Sequence, residues 1–371
     1  MKQAPMTSPG TFIKSKMEGK GWTQSDLAYA IGTKPASINQ ILNNKRSIST
    51  AMAHSLSAAL ECDAAEIAQV QAKWEINNSD APDPAIKARA KILSQYPLRE
   101  MVKRGWVDPE HGEGTLEEQV CRFFNVETIE DVPHLSHSAK KTSYEDVPPQ
   151  QLAWLFRVKR IAEEMLPSPY DKQKLKDAIE AFEGLRDKPE GVRHVPQLLE
   201  KAGVRFVVVE GISNSAIDGV CFWLDQSSPV IGMSLRYDRI DNFWFVLRHE
   251  CAHVLHGHGK QAAIVDCDLG DPTTEANISE EERVANSEAA DFCVPSKKMQ
   301  SFYLRKNPYF SERDVLAFSK RMGVHPGLVV GQLQRKMNRY DFLRRHLVKV
   351  RDSLGASMMM DGWGDLIPTG K

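Results

Sequence analysis

No Cys-x-x-Cys pair occurs among the six cysteines of this 371-residue chain, which are Cys62, Cys121, Cys221, Cys251, Cys267 and Cys293. That absence leaves no sign of a disulfide framework, and the thiols read as free groups of a reducing cytosol. No apolar run approaches the roughly 18 residues that a membrane-spanning helix needs, because charges interrupt every window. The stretch Met1 to Trp22 carries lysines but no apolar core, which argues against a secretion signal. Internal repeats and low-complexity tracts are missing as well. A formal charge of -1 excludes a uniformly basic coat protein. With 42% hydrophobic and 26% charged residues the composition is globular, and the length suggests about two or three domains.

The near-neutral total conceals strong local charge. Met1 to Leu60 holds seven basic side chains against two acidic ones, a net of +5. Asp266 to Asp291 holds nine acids against Arg283 alone, a net of -8. Lys297 to Arg351 holds fourteen bases against three acids, a net of +11. Basic segments steer towards nucleic acid, but a charge run also serves as a solvated helix face, so both readings of the C-terminal run stand.

The first basic segment has the punctuation of a helix-turn-helix. Thr23 followed by Asp26 is an N-cap pattern, and Leu27, Ala28 and Ile31 then repeat at helical spacing. Gly32 ends that helix in a left-handed conformation. Pro35 suits the first turn of the next, whose inward stripe is Ile38, Ile41 and Leu42. Asn43-Asn44 stops it, asparagine tolerating the left-handed region. Ser49 caps a further helix with Met52, Ala53, Leu56 and Leu60 inward. Two short helices joined by a glycine turn lay the second in a DNA major groove. Its outward residues are Lys34, Ala36, Ser37, Asn39 and Gln40. Asn39 and Gln40 pair with adenine, Lys34 reaches phosphate or guanine, and Lys45 and Arg46 follow at the height of the phosphates.

From Trp22 to Leu60 the chain resembles the Xre/lambda-repressor-like family. The run Ile41-Leu-Asn-Asn-Lys-Arg-Ser-Ile-Ser49 and the trailing Glu66-Ile-Ala-Gln-Val-Gln-Ala-Lys-Trp74 are most similar to its HigA antitoxin branch. That family usually has glycine where Asn44 stands.

Asn77 to Pro84 reads as a linker. Helical windows follow at Ala85–Ser94, Leu98–Lys103, Leu116–Phe124, Gln150–Met165 and Lys172–Leu185, broken by Gly105, Gly112–Gly114, Pro133, Pro148-Pro149 and Pro167–Pro169. Phe123, Phe124, Trp154, Leu155 and Phe156 have the spacing of core residues. Trp106 and Trp154 read as packing or as the lining of a ligand cavity.

Val204 to Val209, Gly219 to Leu224 and Val230 to Ser234 read as strands. Asp241 then caps an expected helix with Phe243, Trp244, Val246, Leu247, Val254 and Leu255 as its apolar residues. Within it stands His249-Glu250-Cys251-Ala252-His253, the His-Glu-x-x-His pattern. Residues four apart on a helix lie one turn above each other, so both imidazoles face one point. Zn2+ held by three protein groups keeps a position for water and lowers its pKa. Glu250, one step round the helix, is placed to take that water's proton and pass it to a leaving amine. A third ligand is needed, and spacing does not choose among Glu280, Glu281, Glu282 and Glu288. His256 is a rival ligand by spacing and otherwise a solvent-facing or core histidine. His258 falls in a loop. Cys251 reads as a buried inert thiol or as a redox switch on the metal, and Cys267 as a loop thiol with a sensing alternative.

Three stretches resemble the ImmA/IrrE metallopeptidase family: Phe243-Trp-Phe-Val-Leu-Arg-His-Glu-Cys-Ala-His-Val-Leu-His256, Ala216-Ile-Asp-Gly-Val-Cys-Phe-Trp-Leu224, and Glu282-Arg-Val-Ala-Asn-Ser-Glu-Ala-Ala-Asp-Phe-Cys-Val-Pro295. The resemblance implies that Glu282, four before Asn286, completes a zinc site with His249 and His253, with Glu250 catalytic. It also places an aromatic where Glu288 stands. Ser311 to Leu333 resembles the helix-turn-helix-like extension of such proteins.

The expected fold is therefore α+β and mostly α. It comprises a five-helix lambda-repressor-like DNA-binding domain (11–76), a helical linker domain (85–190) and a zincin-like metallopeptidase domain with a small sheet (192–300). A basic helical extension (301–352) and a flexible tail (353–371) follow. The resemblances imply a cytoplasmic, homodimeric regulator of a phage, stress-response or toxin–antitoxin system. It would bind a double-stranded DNA operator, carry Zn2+ and sense or cleave a protein partner. The alternative is a HigA-like antitoxin that represses its operon and neutralises a cognate toxin, the zinc domain being non-catalytic. Neither reading involves a membrane.

Overall fold

The computed structural model describes residues 7–131, 148–269, 279–354 and 359–361. It divides into two compact units, Met1–Ile86 and Lys87–Lys371. The fold is α+β and mostly α.

The first unit contains α1 (Pro9–Gly19), α2 (Gln24–Ala30), α3 (Pro35–Leu42), α4 (Thr50–Leu60) and α5 (Ala64–Asn78). Its helices start at local caps. Thr23 and Asp26 form a reciprocal capping box at α2, and the Ser49 and Asp63 side chains accept the backbone N–H groups of Met52 and Ala65. Gly32 adopts φ +68° just past α2, as a left-handed stop requires. Ile13, Leu27, Ile38, Ile41, Leu56 and Ile67 meet in one closed core. Asn44, at φ +54°, does more than end α3. Its Oδ1 accepts the Gly10 N–H at 2.8 Å and its Nδ2 donates to Ser8 Oγ at 3.0 Å. It thus ties the end of α3 to the start of α1, a task glycine has no side chain to perform.

Helix α6 (Pro84–Gln95) leads into the second unit, where α7 (Leu98–Lys103), α8 (Leu116–Phe124), α9 (Pro149–Glu164), α10 (Lys172–Glu183) and α11 (Val195–Lys201) precede the sheet strands. The strands are β1 (Arg205–Val209), β2 (Ile217–Trp223), β3 (Pro229–Met233), β4 (Ile264–Cys267) and β5 (Met359–Asp361), ordered β4-β2-β3-β1-β5. β1 runs parallel to β3 and β5, and β2 antiparallel to β3 and β4. Between β3 and β4 lies α12 (Ile240–His256), and after β4 come α13 (Glu280–Cys293), α14 (Ser296–Lys306), α15 (Glu312–Met322) and α16 (Pro326–Met337).

Both faces of the sheet are covered, so β1 to β3 are buried almost throughout instead of alternating. Val207, Val209, Val220 and Val230 face α8 and α9, with Phe123, Phe124, Trp154 and Phe156. Phe206, Val208, Cys221 and Ile231 face the other way, towards Trp244 and Leu247 of α12 and Phe182 of α10.

Several expectations change here. The stretch 85–190 is not a separate linker domain after Lys87, because α8 and α9 bury one face of the sheet. The basic extension is no appendage either, since Val315, Phe318, Leu328, Val329 and Leu333 belong to the core on the opposite face. The tail read as flexible contains β5, whose Asp361 is buried and accepts from Trp106 Nε1 at 2.8 Å and from the Arg157 guanidinium. Residues 355–358 and 362–371 of that tail, with Pro133 and the acids Asp271 and Glu275, lie outside the described residues. Asp241 is not the N-cap of α12. The helix starts at Ile240, whose N–H bonds to Val348 O at 3.0 Å, and Asp241 instead receives the Arg239 guanidinium at 2.6 and 3.0 Å. Trp106 and Trp154 are packed in the core among the described residues, Trp154 Nε1 donating to Val209 O at 2.8 Å.

Candidate functional site

Two groups of polar residues stand out, one in each unit, and their surroundings are opposite. On α3 and the turn after it, Lys34, Ala36, Asn39, Gln40, Lys45 and Arg46 are exposed and Ser37 is half-buried. The apolar stripe of Ile38, Ile41 and Leu42 turns the other way, into the core. Asn39 is partly engaged, its Nδ2 donating to Gln24 Oε1 at 3.3 Å and its Oδ1 accepting from Asn43 Nδ2 at 2.6 Å. The Arg46 guanidinium lies 3.5 Å from Ser37 Oγ. This face is a convex polar helix with cations at its C-terminal end, suited to a groove lined by phosphates.

The second group is buried. α12 puts His249 and His253 one turn apart on the face turned away from Trp244, Leu247 and Cys251. Their Nε2 atoms lie 3.0 Å from each other. Ser279 caps α13 by accepting the Glu282 N–H at 3.2 Å, which sets Glu282 in the first helical turn. There its charge suits the helix dipole, and its Oε1 and Oε2 lie 3.3 Å from His253 Nε2 and 3.5 Å from His249 Nε2. Asp266 comes from β4, with Oδ2 at 3.3 Å from His249 Nε2 and 3.9 Å from His253 Nε2. One donor atom from each of these four residues lies within 4.8 Å of every other.

Three further features shape this cluster. Glu250 is fully buried, and a Cβ at Gly219 of β2 would fall 2.1 Å from its Oε1. Glycine is needed there because the strand backbone passes so close to the carboxylate. Behind His253, His258 Nδ1 lies 3.0 Å from His253 Nδ1. The turn that carries His258 is pressed onto β2, with Trp223 Nε1 donating to His258 O at 2.8 Å. At Gly259, φ is +79° and a Cβ would meet Cys221 O at 2.7 Å. Beside these, Glu288 accepts from Arg248 at 2.7 Å and from His256 Nε2 at 3.0 Å. The acid standing where an aromatic was expected therefore ties α13 to α12 by charge. His256 faces Glu288 and is outside the cluster.

The electrostatics follow from three carboxyls and two imidazoles sharing a dry space. Burial, with Asp266 and Glu282 alongside, raises the Glu250 carboxyl well above the usual carboxylate range. Burial pulls Asp266 the same way, but His249 and His253 beside it outweigh that and hold it low. Burial lowers His258. Both Glu250 oxygens, Asp266 Oδ2 and Glu282 Oε2 are buried without a hydrogen-bond partner among the described residues. Orphaned anionic oxygens cost several kcal/mol each unless a cation or proton meets them. A divalent cation held by His249, His253, Asp266 and Glu282 satisfies the Asp266 and Glu282 oxygens together and offsets the charge beside Glu250, so the donor set fits a metal, and histidine with carboxylate suits zinc. Cys251 packs into the core away from the cluster, and burial pushes its thiol up to about 12. Cys267 lies on a strand and not in a loop, its thiol also pushed up to about 12 by burial.

A helix-turn-helix family model matches residues 13–67. The first unit is thus a helix-turn-helix domain of the class that binds double-stranded DNA and regulates transcription. No curated protein matches the chain. No helix among the described residues is long and apolar enough to cross a membrane.

Proposed function

We propose that this chain is a DNA-binding transcriptional regulator whose second unit is a zinc metallopeptidase that senses or cuts a protein partner. The observation that carries the reading is the buried Glu250, its two oxygens unpartnered beside the His249, His253 and Glu282 donors. His249, His253 and Glu282 would hold zinc, which would supply Lewis acidity towards a peptide carbonyl and a nucleophilic water. Glu250 accepts the proton of the attacking water and returns it to the leaving amine. His258 and the turn on β2 hold the His253 ring in orientation. On the DNA side, a homodimer sets two copies of α3 in successive major grooves. Gln40 and Asn39 read base edges, Lys34 reaches phosphate or guanine, and Lys45 and Arg46 hold phosphates.

A second reading is favoured by one observation. The four donor residues and Glu250 are at most 5% exposed, so a polypeptide does not reach them in this conformation. Under that reading the protein is a HigA-like antitoxin whose metal site only holds the second unit together.

Glu250→Gln separates the two. The variant is expected to keep zinc and operator affinity and to lose every new protein N-terminus that the wild type generates in cells. Terminal-amine proteomics on the two strains measures this. Identical cleavage sites in both strains would remove Glu250 and the peptidase reading, and no wild-type-dependent site at all would favour the antitoxin.

A further inference from the structure

Asp266 is not where a supporting carboxylate belongs. An acid that orients a ligand histidine meets the ring nitrogen facing away from the metal. On His253 that nitrogen, Nδ1, already faces His258. Asp266 Oδ2 instead approaches the Nε2 atoms of both histidines, the same atoms that face Glu282. The five separations that involve a histidine nitrogen, Glu282 offering Oε1 to His253 and Oε2 to His249, run from 3.0 to 3.9 Å, and one donor atom from each of the four residues lies within 4.8 Å of every other. Four ligands about 2.0–2.1 Å from a tetrahedral zinc stand about 3.3–3.4 Å apart. Two carboxylates and two neutral imidazoles also bring a dication to zero net charge, the state a dry site favours. From this geometry we infer that Asp266 is a fourth metal ligand and that the resting site is closed, opening for substrate only when β4 withdraws Asp266. The inference rests on the metal reading above and adds a regulatory state to it.

The mounting of Asp266 suits such a latch. Among the described residues β4 is a four-residue strand at the edge of the sheet, paired with β2 alone, and the pairing slips register between Ile217 and Gly219. Beyond Asp266 the strand's end is pinned by two side chains. Arg236 bonds Asp268 at 2.5 Å, and Asp218 Oδ2 accepts the Leu269 N–H at 2.8 Å. Withdrawing so short an edge strand leaves β2, β3 and β1 paired. His249 and His253 stay fixed on α12, and Glu282 on α13, while Asp266 moves.

Cobalt(II) substituted into the full chain tests this, with azide as the probe of a vacant coordination position. Wild-type protein is expected to bind one cobalt per chain, with an intense four-coordinate visible band that millimolar azide leaves unchanged. Asp266→Ala is expected to keep the cobalt, shift the band and titrate with azide, and Asp266→Asn to fall between. Wild-type cobalt that responds to azide, or an Asp266→Ala spectrum identical to wild type, overturns the fourth ligand while leaving the metal site intact. The wild-type azide measurement stands even if the variants fold poorly. Failure of the wild type to take up cobalt, with His249→Ala no different, overturns the metal reading and this inference with it.

Discussion

The helix-turn-helix and the buried cluster hold their polar residues under opposite terms. On α3 the polar side chains lie in water, their backbone satisfied by the helix and their apolar neighbours sealed underneath. Nothing in that fold depends on the identity of Gln40, which leaves it to its partner. In the second unit Asp218, Glu250, Asp266 and Glu282 are all buried, and each takes part in the electrostatics of folding as well as in any chemistry. An exposed reading face separates stability from function, whereas a buried centre binds the two together. Substitutions sharpen or break that contrast.

The largest expected effect on stability is at Asp218. Burial first, opposed by the Leu269 N–H and Arg236, raises its carboxyl to about 6. The folded state therefore keeps a proton that the unfolded chain has released by about pH 4, and stability falls as pH rises from about 4 to 6. Two units correspond to on the order of 3 kcal/mol. Asp218→Asn should flatten that segment of a stability–pH curve measured by urea unfolding. An unchanged slope would mean that the buried acids do not tax the fold as described. Next comes Gly219→Ala, whose methyl meets both Glu250 and Val246 Cγ1. It should cost about 1–3 kcal/mol by overpacking and weaken metal retention in equilibrium dialysis, stability and site failing together. Loss of only one would break the comparison from the buried side. Smallest for stability is Gln40→Ala, expected within about 0.5 kcal/mol of wild type as a surface change. It should nevertheless weaken specific DNA binding by about 1–3 kcal/mol in a fluorescence-anisotropy titration against a mapped operator. Unchanged binding would remove Gln40 from the reading face.

The same contrast explains what the sequence could reveal. Helices stop and start by signals a few residues wide. Thr23 with Asp26, Gly32, Pro35 and Ser49 mark the boundaries of α2, α3 and α4, and the windows Leu98–Lys103 and Leu116–Phe124 coincide with α7 and α8. The meeting of His249 and His253 is equally local, because one helical turn dictates it. Spacing does not distinguish Glu282 from the neighbouring acids, and only the family resemblance singles it out. Asp266 was invisible for a physical reason. It sits in an acidic run, on a strand too short for alternation to register, and reaches the histidines only through the pairing of β4 with β2. β5 was hidden in the same way, since Asp361 gains its meaning from Trp106, 255 residues earlier. The nearest clue was Ile264-Val265, two β-branched residues before the acid.

That last pairing also sets an order of events during synthesis. The core of the first unit needs nothing beyond Asn78, whereas the sheet acquires its β5 edge only when Asp361 has left the ribosome. At translation speeds of about 5–20 residues per second, the two moments are tens of seconds apart. A nascent chain therefore presents a finished α3 surface well before the sheet of its second half is complete.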